Sequence, residues 1–166
     1  MKTFLKFTFV TGALACAGIS SAADLSALKN ATTVLQGCTV SLTAVNAIKP
    51  GMIPAGYTRW MRTKNDARVP APRNLQALQR FSMTVEAAKR SLSDCATSAQ
   101  GATAKANAAL ALAAKEQATA RTKADSDVVK FYHDTRVKFV QQLTAAVQDR
   151  RIQSLMSDAL RPLLKV

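Results

Sequence analysis

The chain has 166 residues, with 23 lysines and arginines against 10 aspartates and glutamates, one histidine and three cysteines. This length lies near the commonest size of a single domain, so we expect one domain with a modest hydrophobic core. The formal net charge of +13 predicts attraction to anions, but a high charge also serves solubility and specifies no partner. With a single histidine, the composition argues against a metal centre.

Residues 1–23 have the three parts of a secretory signal peptide. Two lysines precede an apolar run at 7–19, and the small residues 20–23 follow it. Cleavage after Ala22 or Ala23 fits, because each has a small residue three positions before the bond. The apolar run is shorter than the ~20 residues that a membrane-spanning helix needs. The sequence therefore predicts an exported protein, located in the periplasm or outside the cell.

A lipoprotein signal is the alternative interpretation of the same segment. Cys16 follows Ala-Leu-Ala at 13–15, and in a lipobox its thiol is acylated and anchors the protein. The leucine, however, stands one position closer to the cysteine than is usual. Either signal removes Cys16 from the thiols that can pair. Cys38 and Cys95 are then an even pair in an exported protein, which predicts a disulfide.

Two stretches carry apolar residues at the alternating spacings of three and four that mark one face of a helix. At 24–48 these residues are Leu28, Ala31, Leu35, Cys38, Leu42 and Val45. At 74–100 they are Leu78, Phe81, Val85, Ala88, Leu92, Cys95 and Ala99. Each cysteine lies on the apolar face of its own helix, as a disulfide between two facing helices requires. The sequence therefore predicts an all-α fold, an antiparallel helical hairpin or bundle stapled by one disulfide.

The predicted bond also determines the register of the hairpin. Leu42 then faces Ser91 and Leu92, and Val45 faces Ala88. In this register Ile48, at the end of the first helix, faces Val85. The second helix starts about ten residues before Val85, so it extends ~15 Å beyond the end of the first helix. We expect apolar residues of the intervening loop to cover Leu75, Leu78 and Phe81 on this overhang. The covering residues are Ile53, Tyr57, Trp60, Met61 and Val69.

The C-terminal part of the chain is expected to be helical as well. Residues 102–123 are rich in alanine, which favours helix but buries little surface. We expect a thinly packed helix there, either separate from the preceding helix or continuous with it through Gly101. Residues 126–161 form a further amphipathic pattern whose spacing is interrupted between Val147 and Ile152. This interruption predicts a kink or a rotated face near residue 149.

Catalytic and cofactor-binding motifs are not recognisable in the sequence. His133 is the only histidine, no Cys-x-x-Cys pair is present, and the only glutamates are Glu86 and Glu116. Gly37 and Gly101 are isolated and form no phosphate-binding motif. Nucleophilic catalysis needs a base and an orienting partner around the nucleophile. We therefore expect no enzyme, no cofactor, no metal and no small-molecule substrate.

The loop at 49–73 is the candidate binding surface. It holds four of the five prolines, the only tryptophan, and six lysines and arginines against Asp66 alone. Aromatic and arginine side chains dominate interface hot spots, and they also stack on bases and contact phosphates. The residues expected to contact a partner are Tyr57, Arg59, Trp60, Arg62, Lys64 and Arg68. On the structural interpretation, the aromatic residues cover the overhang while the cations face water.

Two hypotheses for function follow. The leading one is a non-enzymatic, exported interaction protein, an accessory or adaptor of an envelope, secretion or pilus assembly, whose partner is another envelope protein. It rests on an analogy of class with small, exported, disulfide-stapled helical proteins. The alternative is a basic binder of polyanions, either nucleic acid or an anionic membrane surface, including a periplasmic chaperone-like role. Salt separates the two, because phosphate binding weakens steeply with salt.

We predict that the purified exported protein contains no free thiol and that Cys38 is joined to Cys95, because an even pair outside the cytosol is oxidised. Mass spectrometry of an unreduced digest should recover the two cysteine peptides as one linked species that separates on reduction. Alkylation of both cysteines in the native, unreduced protein would contradict the bond and the register deduced from it.

Overall fold

The computed structural model describes residues 19–115 and 123–166, and every regular element in these ranges is a helix. The α-helices are α1 (Ile19–Asn46), α2 (Tyr57–Thr63), α3 (Leu75–Lys115), α4 (Lys123–Gln148) and α5 (Arg150–Leu160). Short 3-10 helices occupy Pro50–Met52 and Arg161–Lys165. The predicted all-α class with one disulfide is confirmed for this part of the chain.

The predicted signal peptide lies mostly outside the described residues, and so does the alternative acylation site at Cys16. α1 begins at Ile19, ahead of the start predicted at residue 24. Within the described ranges, no helix combines the length and the apolar character needed to cross a bilayer.

The core of the fold is the disulfide-linked hairpin of α1 and α3. Cys38 and Cys95 are bonded, and their Cα atoms lie 5.4 Å apart. The hydroxyl oxygens of Ser41 and Ser91 lie 2.8 Å apart, which agrees with the register deduced from the bond. All six apolar residues predicted on the face of α1 are buried, and on α3 only Ala88 is half-buried. The prediction of a stapled hairpin is therefore confirmed.

α1 is the central helix, because it packs against α3 on one side and α4 on another. On α4 the buried side chains are Tyr132, Phe139, Leu143 and Ala146. The side-chain amide of Asn46 donates hydrogen bonds to the backbone carbonyl of Gln142 at 3.0 Å and to its side-chain oxygen at 2.9 Å. The C-terminal ends of α1 and α4 therefore lie together.

The alanine-rich segment is continuous with the second long helix, which was one of the two arrangements left open by the sequence. α3 passes through Gly101 without a break, and a Cβ placed there would meet no described atom within 4 Å apart from the backbone of its own helix. Ala99, Ala102 and Ala106 are buried on the same helix. Small side chains therefore pack this part of α3 closely against its neighbours. The predicted extension of this helix from Lys115 to residue 123 falls on 116–122, which lie outside the described residues.

The predicted helix at 126–161 is two helices that meet at Asp149. Asp149 has an extended backbone, and its carboxylate accepts hydrogen bonds from the backbone N–H groups of Arg151 at 2.9 Å and Ile152 at 3.4 Å. These are the free donors of a first helical turn, so the carboxylate caps α5. The interruption is where the sequence indicated, but a new helix begins there and packs against α3 as well as α4.

Asp149→Ala should lower the melting temperature by a few degrees at neutral pH, because it removes the cap of α5 and the ion pair with Arg151. The hydrogen bonds from the Arg151 side chain and backbone lower the pKa of Asp149 below its ordinary value of 3.8. A carboxylate with a lowered pKa stabilises the fold above its unfolded-state pKa and loses that contribution as the pH falls through its folded-state pKa. The difference between wild type and variant should therefore shrink below pH 3.8.

Thermal melts across the acid range measure this difference. Asp134→Ala is the matched control, because Asp134 is an exposed carboxylate of α4 with no ion pair among the described residues. We expect the control to melt close to wild type at every pH. A gap between wild type and Asp149→Ala that stays constant to the lowest pH at which the protein remains folded would contradict the assignment.

Candidate functional site

The segment 49–73, predicted from the sequence to be a loop, contains the short helix α2. α2 begins after Gly56, whose φ of 80° lies in the left-handed region that glycine enters without steric cost. The Gly56 carbonyl accepts a hydrogen bond from the Trp60 backbone N–H at 2.9 Å, and that of Pro54 accepts one from Tyr57 at 3.1 Å. The loop therefore presents its aromatic residues from a defined helix.

Tyr57 is a core residue rather than part of an accessible contact surface. Its side chain is only 4% exposed, and its ring meets that of Phe81 edge to face with the centroids 4.8 Å apart. Ile53 and Met61 also pack against the core, whereas Val69 stays 38% exposed. The loop thus covers the overhang of α3 as the sequence indicated, with Tyr57 as its deepest contact.

Trp60 lies between the core and solvent. Its side chain is half-buried and packs against the core, and its ring centroid lies 6.1 Å from that of Tyr57. The Lys64 ammonium lies over the indole, 5.8 Å from its centroid, within the range of a cation–π interaction. Trp60 is therefore compatible with both the structural and the binding interpretation, because part of its side chain packs against the core and part is accessible to solvent.

A groove of about 750 Å³ separates α2 from the start of α3. Its apolar wall consists of Trp60, Val69, Pro70, Pro72, Leu75 and Leu78. Its charged lining residues are Arg59, Lys64 and Asp66. This volume falls within the range of clefts that bind small molecules. The sequence alone did not predict this groove. The only signal of it in the sequence was the prolines and Asn74 beside the predicted start of the second helix.

Hydrogen bonds hold the two walls of the groove in place. The side-chain amide of Asn74 donates to the carbonyl of Ala55 at 3.1 Å, which ties the start of α3 to the residues before α2. The backbone N–H of Asp66 bonds the Thr63 carbonyl at 2.9 Å, and that of Val69 bonds the Asp66 carbonyl at 3.1 Å. Successive turns therefore determine the path of the chain around the groove.

The cations predicted to contact a partner fall into two sets. Arg59 and Lys64 line the groove, whereas Arg62 and Arg68 are exposed outside it. In the described ranges, no carboxylate lies within ion-pair distance of any of these four side chains. The carboxylate of Asp66 instead accepts a hydrogen bond from the Arg68 backbone N–H at 3.0 Å. The charges of Arg62 and Arg68 therefore face solvent, whereas those of Arg59 and Lys64 lie at the groove.

Other candidate chemistry lies away from the groove. His133 is exposed on α4 beside Tyr132, whose pKa is raised by burial and lowered to a smaller extent by Arg136. Glu86 forms an ion pair with Lys89 at 3.8 Å, and Glu116 lies outside the described residues. Among the side chains that the structure describes, no three potential metal ligands are grouped together.

Comparison with protein-family models, with curated proteins and with solved structures gave no match. The groove and the cations around it are therefore the features that bear on function.

Tyr57→Ala should lower the free energy of unfolding by about 3–5 kcal/mol, because it deletes a buried aromatic ring and leaves a cavity beside Phe81. Tyr57→Phe is the matched control. It keeps the edge-to-face contact and removes only the hydroxyl, so its stability should stay close to that of wild type. Urea denaturation under non-reducing conditions measures both. An alanine variant as stable as wild type would show that the loop does not cover the overhang.

Proposed function

We propose that this chain is a non-enzymatic, exported interaction protein that binds another envelope protein through the groove between α2 and α3. The observation that carries the proposal is the groove itself, which combines an apolar wall with two cations that form no ion pair with a described carboxylate. Protein interfaces have this arrangement, with an apolar centre and a polar rim. An accessory or adaptor of an envelope, secretion or pilus assembly is the role that fits such a surface.

Trp60 is the proposed anchor of the interface. Tryptophan and arginine are the residue types most enriched among interface hot spots, and they act best in partly enclosed positions from which water is excluded. Trp60 is half-buried and adjoins Arg59, and both line the groove. The indole is already held by its core contacts, so little conformational entropy is lost when a partner covers it.

Export is supported by two independent features. The sequence has the pattern of a signal peptide, and the buried bond between Cys38 and Cys95 is consistent with an oxidising compartment. Disulfides form and persist mainly in such compartments. The partner is therefore proposed to be another protein of the envelope or the extracellular space.

A binder of polyanions is the second candidate, and the outward-facing cations favour it. Arg62, Arg68 and Arg73 are exposed in or beside the loop and have no ion pair in the described ranges. Arginines in this state are free to contact phosphates of nucleic acid or of an anionic lipid surface. This candidate makes no use of the apolar groove, and the two proposals therefore differ in which residues they require.

Crosslinking in the native envelope with Trp60→Ala tests the leading proposal. We expect capture of the partner to fall about tenfold, because an interface anchor is lost. Phe131→Ala is the matched control, since Phe131 is an exposed aromatic residue of α4 outside the groove. It should leave capture unchanged. Melting temperatures of both variants show whether any loss reflects unfolding.

Salt dependence then separates the two candidates. Three phosphate contacts, one for each arginine of the second candidate, would weaken binding about fortyfold between 50 and 200 mM salt, whereas an interface anchored on Trp60 should change only a few-fold. If capture survives Trp60→Ala and the combined change of Arg59 and Arg62 to glutamine, the loop is structural only and the proposed function is wrong.

A further inference from the structure

The groove and the surface outside it offer different chemistry to an anion. Inside, Arg59 and Lys64 stand beside an apolar wall, and Asp66 also lines the groove. Outside, Arg62 and Arg68 face solvent. A polymer with a charge at every step would meet the Asp66 carboxylate if it followed the groove, and like charges at close range repel. A ligand with few negative charges and an apolar group avoids this repulsion.

The environment of Trp60 also disfavours a stacked base. Stacking needs an accessible aromatic face. The Lys64 ammonium already lies over the indole at 5.8 Å from its centroid, and the Tyr57 ring lies 6.1 Å away. An aliphatic or aromatic side chain that packs against the exposed part of the indole and Leu75 fits this position better, because it needs no open face.

The proline wall limits how a peptide can be bound. Pro70 and Pro72 line the groove and have no backbone N–H, so this wall cannot pair with a peptide as a strand of a sheet does. Recognition must come from side chains. An apolar side chain fits the wall, and a carboxylate fits the two cations at Arg59 and Lys64.

We propose that the groove between α2 and α3 binds an acidic peptide segment that places one or two apolar side chains against Trp60 and Leu75 and its carboxylates at Arg59 and Lys64. This inference rests on the proposed function and names the chemistry of the partner. The contact is charge-complementary at the rim and apolar at the centre. Arg62 and Arg68 contribute only long-range attraction.

The test uses a labelled peptide in which two leucines are flanked by glutamates. Fluorescence anisotropy of the label gives the affinity, and emission of Trp60, the only tryptophan of the chain, reports whether the groove is occupied. The control probes are the same peptide with glutamines in place of the glutamates, one with serines in place of the leucines, a single-stranded DNA and anionic lipid vesicles. We expect only the first peptide both to bind and to shift the Trp60 emission.

Two double variants with the same change of charge locate the site. Arg59→Gln with Lys64→Gln should weaken the peptide about tenfold, whereas Arg62→Gln with Arg68→Gln should weaken it less than about twofold. All four residues are exposed, so we expect both variants to keep the wild-type melting temperature. Equal losses of affinity in the two variants would show that the peptide is attracted only by the overall positive charge, and this result would overturn the proposal.

The remaining outcomes are also decisive. DNA or vesicles that shift the Trp60 emission, or a first peptide that fails to bind at about 1 mM, a concentration that detects even weak contacts, would overturn the acidic-peptide inference. If the crosslinked partner still depends on Trp60 in that case, the proposed interaction function stands without it. If neither the peptide nor the partner responds to Trp60→Ala, both proposals fail.

Discussion

The bond between Cys38 and Cys95 is the constraint on which the rest of the architecture depends. It joins α1 to α3 at one register, and that register leaves the first turns of α3 beyond the end of α1. Leu78 and Phe81 in this overhang are large and apolar, so they must be covered. The loop provides that cover, and the groove lies where the loop meets α3. The proposed binding surface is thus a consequence of the hairpin's register.

Apolar spacing and cysteine placement predicted the hairpin because both signals are local and redundant. Leu28, Leu35 and Leu42 recur at helical intervals, and Cys38 falls on the same face, so each supports the same orientation of α1. α2 was not predicted, because its stability depends on contacts with a distant part of the chain. It has only 7 residues, too few for a helix to be stable alone, and it is held by the contact of Tyr57 with Phe81.

Packing between helices also determined the structure at Gly101 and Asp149, where the local sequence did not specify whether a helix continues or ends. Gly101 suggested a possible break, but buried alanines on either side of it pack α3 against its neighbours and outweigh its low helix propensity. At Asp149 a shift in the apolar stripe indicated a kink, and the capping carboxylate instead starts a separate helix. The spacing of apolar residues predicted the position of the interruption. It did not predict the direction of α5, which depends on packing against α3.

The candidate site could be predicted only in part, because its two walls come from separate segments, the loop and the start of α3. Trp60, Arg59 and Lys64 were evident from composition, but the opposite wall, with Leu75, comes from another helix and arises on folding. α1 ends at Asn46, shortly before the proline-bearing 3-10 turn, and so never reaches the first turns of α3. A loop seals an apolar face less completely than a packed helix does, which leaves Leu75 half-buried. This incomplete cover leaves the groove open beside the core.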